Sequence, residues 1–124
     1  MTIEEFQKFI SENPRVVVHQ QSQGFPNLSV SDNLKMVADA VDLLGKDYKL
    51  LCLNFEWDDL RLFGHIQGEY CDYGLTLYLF KDGKEIFRDV GREHYYDAFY
   101  KEGNYGWTET VKKFAEWIKD KFNE

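Results

Sequence analysis

Apolar residues recur along this chain at two different spacings. Ile3, Phe6, Phe9 and Ile10 fall on one helical face, with Gln7, Lys8 and Glu12 pointing away from it. Thr2-Ile3-Glu4-Glu5 fits a capping box, in which the Thr hydroxyl and the Glu carboxylate each satisfy an orphan amide at a helix start. Asn13-Pro14 stops this helix, because the residue before proline avoids the α region. Arg15 to Gln20, centred on Val16-Val17-Val18, is an unbroken β-branched run and suits a strand covered on both faces. Gln21 to Ser31 is polar, contains Gly24 and Pro26, and reads as a loop. Helical spacing returns at Leu34, Val37, Ala38, Val41 and Leu44, which predicts a helix over Asp32 to Leu44 closed by Gly45. Lys49 to Phe55 is the next apolar run. A strand reached from the first through a helix is most simply parallel to it, by a right-handed crossover.

Glu56 to Tyr73 reads as a short helix followed by loop: Asp58-Asp59 can cap a turn through Leu60, Leu62 and Phe63, while Gly64 and Gly68 interrupt anything longer. Gly74 to Gly91 then holds two runs of strand-forming residues joined at Lys81-Asp82-Gly83-Lys84. An Asp-Gly pair in that place is a strong hairpin signal, because glycine accepts positive φ and keeps the paired strands twisting correctly. After a polar and aromatic stretch, Arg92 to Gly106, Thr108 is in position to cap a last helix with Val111, Phe114, Ala115, Ile118 and Phe122 on one face. The predicted order is α-β-α-β-α-β-β-α.

Composition narrows the class. The chain has 124 residues, 44% hydrophobic and 17% aromatic, enough for one packed core. Its net charge of -7 repels phosphate backbones and anionic bilayers, so neither nucleic acid nor membrane is an expected partner. The N-terminal Met-Thr-Ile-Glu-Glu-Phe has no basic leader or apolar h-region, and the expected location is the cytoplasm. Two cysteines, Cys52 and Cys71, make neither a disulfide framework nor a Cys-x-x-Cys motif and are read as reduced thiols.

Phe6 to Val18 is similar to the first helix and first core strand of thioredoxin-like proteins. Thr76 to Gly91 resembles their hairpin, in which a strand, a turn of the type Phe-Lys-Asp-Gly and a strand ending in Val-Gly precede the last helix. The resemblance covers nearly the whole chain. It implies an α/β three-layer sandwich, a central mixed β-sheet flanked by helices, in a single domain of residues 1–124. It also implies where chemistry belongs: a Cys-x-x-Cys at the start of the second helix and a cis-proline before the hairpin. Counting without gaps from Val16-Val17-Val18, the dithiol position falls on Phe25-Pro26-Asn27-Leu28, which contains no thiol. Disulfide exchange cannot start there, since the attacking species is a thiolate. Leu75 stands at the proline position, and a non-proline cis peptide costs about 2.5 to 4 kcal/mol, so a trans bond is expected. His19 occupies the place where many thioredoxins bury an acid that assists proton transfer.

Other chemistry is sparse. Cys71 lies a few residues before Leu75, which the resemblance would place close to the old active face, and is a candidate redox thiol or an inert one; Asp72 beside it is expected to raise rather than lower its pKa. Cys52, inside a run of leucines, is expected in the core. His19, His65 and His94 lack zinc-site spacing, and no metal or other cofactor is expected. Glu56, Asp58 and Asp59 fit helix capping and a solvated loop better than a cation site. No phosphate loop, GxSxG elbow or HExxH occurs. The segment from Glu93 to Trp107 carries four tyrosines, Phe99 and Trp107, and leaves from Val90-Gly91, which in the family lines the groove that receives the client protein. It reads either as a recognition surface, since such rings give large contact area at small entropic cost, or as a cap on the sheet's end.

The first functional expectation is a non-catalytic module that binds another protein through Phe25, Pro26, Asn27, Leu75, Gly91, Tyr95, Tyr96, Phe99 and Trp107. The second is a redox enzyme using Cys71 as a single thiol. The third is an acidic inhibitor or immunity-type protein that neutralises a basic partner, supported by net charge alone.

Overall fold

The computed structural model describes residues 1–21, 28–54, 75–91 and 106–124. Helix α1 (Ile3–Glu12) begins with the capping box: the Thr2 amide donates to Glu5 Oε1 at 2.9 Å, and the Glu5 amide donates to Thr2 Oγ1 at 3.2 Å. Strand β1 (Arg15–Gln21) leads to α2 (Leu28–Leu44) and β2 (Lys49–Asn54). Strands β3 (Leu75–Lys81) and β4 (Lys84–Gly91) form the hairpin, and α3 (Trp107–Phe122) closes the chain. The short helix expected within Glu56 to Tyr73 lies outside the described residues.

The four strands form one mixed sheet in the order β2-β1-β3-β4. β1 runs parallel to β2, with Val17 opposite Leu50, and antiparallel to β3, with Val17 opposite Leu79. The hairpin turns through Asp82 and Gly83 at φ 52° and 82°, positive at both centres, as a two-residue loop with matching strand twist requires. Its register shifts between Leu79 and Phe80, which leaves Ile86 as the extra residue of a bulge on β4.

Strand alternation divides the core into two layers. Val17, Leu77 and Leu79 face α2 and α3, packing with Met36, Val37, Ala40, Val41, Val111, Phe114, Ala115, Ile118 and Phe122. Val16, Val18, Leu53, Tyr78 and Phe80 face α1 and meet Phe6 and Ile10. Phe6 and Phe80 sit edge to face with centroids 5.4 Å apart. Every β1 residue from Val16 to Gln20 is buried, as a strand covered on both faces must be.

Four expectations need correction. α2 starts at Leu28 rather than Asp32, because Ser, Asp and Asn cost a helix only a few tenths of a kcal/mol each and do not prevent it from extending upstream. Its buried stripe also includes Met36 and Ala40, both inaccessible, while Ala38 is only partly covered. α3 is capped by the backbone of Gly106, whose carbonyl accepts from the Thr110 amide at 2.9 Å, and not by Thr108. Cys52 is exposed rather than in the core, because β2 is the outermost strand of the described sheet, with β1 as its neighbour there, and Phe55, the expected last residue of that strand, lies outside the described residues.

Candidate functional site

The register of the sheet sets Asn54, Gln21, Leu75 and Gly91 side by side across its four strands, β2, β1, β3 and β4 in that order. This row is one rim of the sheet, at the carboxyl ends of the parallel strands β1 and β2, where open α/β sheets bind ligands. Chain connectivity makes it the anchor line for all the sequence-derived candidates except Trp107. The segment with Phe25, Pro26 and Asn27 leaves the rim at Gln21 and rejoins the fold at Leu28, the first residue of α2. The segment with Cys71 enters at Leu75, and the segment with Tyr95, Tyr96 and Phe99 leaves at Gly91. Leu75 and Gly91 are direct cross-strand partners. Phe25, Pro26, Asn27, Cys71, Tyr95, Tyr96 and Phe99, and the peptide bond between Gly74 and Leu75, lie outside the described residues.

Just below the rim the sheet buries polar side chains on both faces. His19 is inaccessible and shares the α2 and α3 side with Leu77 and Cys52, its partners on β3 and β2. On the α1 side Gln20 and Thr76 are buried opposite each other, and the Tyr78 hydroxyl donates to Gln20 Oε1 at 3.0 Å. The Arg88 guanidinium carbon sits 5.5 Å from the centre of the Tyr78 ring, and its own nitrogen Nη2 pairs with Glu85 at 2.8 Å. The Gln20, Thr76 and Tyr78 group escaped sequence reasoning. The signal was available, as polar residues at matched positions of two apolar strands.

Trp107 begins α3 and is half-buried against the helix-side core. Its indole N–H donates to Asp39 Oδ2 at 2.8 Å, and Lys35 Nζ lies 5.1 Å from the ring centre. Beside it, α2 and α3 border an open groove of about 390 Å³ lined by Asp39, Asp42, Leu43, Trp107, Val111 and Lys112. This groove belongs to the helix layer and is separate from the row of strand ends.

Thiol chemistry finds little support among the described residues. Cys52 is three residues into β2, and although the residue is exposed, the protein around its sulfur desolvates the thiolate and pushes the thiol pKa up. No group of three or more His, Cys, Asp or Glu among the described residues is arranged to hold a metal ion. No helix among them is long and apolar enough to cross a membrane.

No protein-family model matches this sequence, and no curated protein matches it. Solved structures do match its fold. A thioredoxin from Trichomonas vaginalis aligns over 92% of each chain at 17% identity with a TM-score of 0.53. A structure concerned with the thiol resolving mechanism in yeast mitochondrial 1-Cys peroxiredoxin aligns over 73% of this chain and 78% of its own at 15% identity, TM-score 0.57. A designed protein aligns over 73% and 76% at 14% identity, TM-score 0.55. With these matches, the mixed sheet, its strand order and its two helical layers establish that the chain has a thioredoxin-like fold.

Proposed function

We propose that this chain is a non-catalytic thioredoxin-like module that binds another protein at the sheet rim. The observation that carries the reading is the row Asn54, Gln21, Leu75, Gly91, which gathers the attachment points of the three segments holding Phe25 to Asn27, Cys71 and Tyr95 to Phe99. Six of the seven residues named in those segments are aromatic, small or amide-bearing groups suited to contact, and the seventh is a single thiol. Dithiol exchange needs an attacking thiolate and a second thiol close enough to resolve the mixed disulfide. The only other cysteine, Cys52, lies mid-strand on an edge with a raised thiol pKa. A binding face can persist without the chemistry, because fold does not dictate function.

The test has two arms. Wild type and a Tyr95→Ala, Tyr96→Ala double mutant are compared in capture from the native host, and each recovered partner is then titrated against both purified proteins. A partner whose affinity falls for the double mutant supports the rim; equal recovery and equal affinity reject it. In the second arm, insulin reduction with dithiothreitol is expected to run at the uncatalysed rate. Turnover that disappears in Cys71→Ser replaces this reading with the single-cysteine enzyme.

A further inference from the structure

The end of the sheet opposite the rim carries a cation on every strand. Lys49 begins β2, Arg15 begins β1, Lys81 ends β3 and Lys84 begins β4. Arg15 and Lys81 are direct cross-strand partners, and so are Lys81 and Lys84. Like charges placed directly opposite each other destabilise a strand pair, and in a chain with 22 acidic and 15 basic residues carboxylates are plentiful to separate them. Among the described residues neither Arg15 nor Lys81 is in an ion pair; Asp82, next to Lys81 in the turn, and Asp47, next to Tyr48, form none with them. Both cations are instead held by one aromatic pair. The Arg15 guanidinium carbon lies 5.5 Å from the centre of the Tyr48 ring, Tyr48 meets Phe122 edge to face at 5.5 Å, and Lys81 Nζ donates to the Phe122 carbonyl at 2.9 Å. That last bond explains Lys81 as a cation at the C-terminus of α3. It leaves Arg15 unexplained, for its Nε is buried and has no hydrogen-bond partner. The connections at this end, residues 13–14, 45–48 and 82–83, supply that nitrogen with no acceptor. A guanidinium fixed on a ring, partly desolvated and beside a second cation, is an unfavourable arrangement that an anion offsets.

We propose that Arg15 and Lys81 form a binding site for a phosphate group, carried by inorganic phosphate or by a small phosphate monoester. The terminal nitrogens of Arg15 present a planar fork that matches two phosphate oxygens, and the Lys81 ammonium adds a point charge beside it. Two adjacent cations match a dianion. A monoester is therefore preferred to a nucleic-acid diester, which carries one charge per phosphate and meets the repulsion of a chain of net charge -7. Tyr48, under the guanidinium, also lines a groove of about 400 Å³ with Val41, Asp42, Lys46, Lys49 and Leu50, which gives an ester room for its organic part. The site lies at the opposite end of the sheet from the rim, so loss of either leaves the other in place.

The experiment titrates the isotopically labelled protein with inorganic phosphate and, separately, with glycerol phosphate, at constant pH and ionic strength, with chloride as the reference salt. Saturable nuclear magnetic resonance shifts are expected at the Arg15 Nε–H and at the Tyr48 and Lys81 amides. Tighter binding of glycerol phosphate identifies an ester as the ligand, and equal binding identifies the phosphate group alone; both support the site. Arg15→Gln is expected to weaken binding by about tenfold or more, and Arg15→Lys, which keeps the charge and loses the fork, by less. Lys8→Gln removes the same charge from the exposed face of α1 and should leave the titration unchanged. If an Arg15 variant loses the dispersed spectrum of a folded chain, the wild-type protein decides by where its shifts fall. Shifts that chloride reproduces, saturable shifts centred elsewhere, or a folded Arg15→Gln protein that binds as tightly as wild type overturn the proposal.

Discussion

Tyr78 and Gln20, on adjacent antiparallel strands, meet through a 3.0 Å hydrogen bond from the phenol to the Gln20 side-chain oxygen, with both side chains buried. Removing the donor leaves that oxygen desolvated without it. Tyr78→Phe is therefore expected to cost about 1 to 3 kcal/mol in urea unfolding. Gln20→Met leaves the hydroxyl without this acceptor and should cost a similar amount. The double mutant removes both polar groups, and it should cost less than the sum of the singles. Strict additivity would show that the bond contributes nothing.

The hairpin turn supplies a second test. Gly83 has φ of 82°, and a methyl group added there meets only the Ile10 carbonyl, at 4.0 Å. Space is adequate, so the penalty of Gly83→Ala is conformational, about 1 to 2 kcal/mol. Asp82 at φ 52° is a residue type that tolerates this region, and Asp82→Asn should leave stability unchanged within about 0.5 kcal/mol. Comparable losses for both substitutions would contradict the turn geometry.

These two tests fall on parts of the fold that differ in how legible they are from sequence. The hairpin is local: Asp82-Gly83 and the flanking strand residues dictate it within a few positions. The same holds for the capping box at Thr2 and Glu5 and for the buried stripe of α3. What the sequence withheld depends on neighbours far along the chain. Cys52 sits in a run as apolar as Val16-Val17-Val18, and only strand order decides that β1 is interior and β2 an edge. Gln20 and Tyr78 are 58 residues apart, and their bond follows from register rather than pattern. The rim row was partly legible, since Leu75 and Gly91 came from resemblance to a known hairpin, whereas Gln21 and Asn54 join them only through pairing.

Asp39 and Trp107 tie the start of α3 to the middle of α2 by a hydrogen bond of 2.8 Å. Gly106 offers no side-chain cap, and this bond restrains the helix start from the side of α2. Asp39→Ala is expected to cost about 1.5 kcal/mol, the lower end for a bond to a charged acceptor because the pair is only part-buried. Tryptophan fluorescence should shift to longer wavelength, and that shift should be absent when the same change is made in a Trp107→Phe background. An unchanged spectrum in both would remove the bond from the account of α3.

The Cys52 thiol gives a pH-dependent test. Desolvation of its thiolate raises its pKa in the folded protein above the unfolded value, so folding favours the neutral thiol. The sign follows: this contribution to stability is fully present below the unfolded pKa, near 8.5 for a free cysteine, and is lost as pH rises through the folded value. At neutral pH the thiol is protonated in both states, and Cys52→Ser should then show no pH-dependent difference from its parent. Above about pH 8.5 the parent should lose stability relative to Cys52→Ser as pH climbs. Alkylation offers an independent measure, because only the thiolate attacks iodoacetamide. In the Cys71→Ser protein, kept dilute, the alkylation rate should be slow at neutral pH, with a midpoint above that of a free cysteine. A midpoint near or below neutrality would mean that the edge of β2 activates its thiol, and Cys52 would then enter the account of function as a nucleophile.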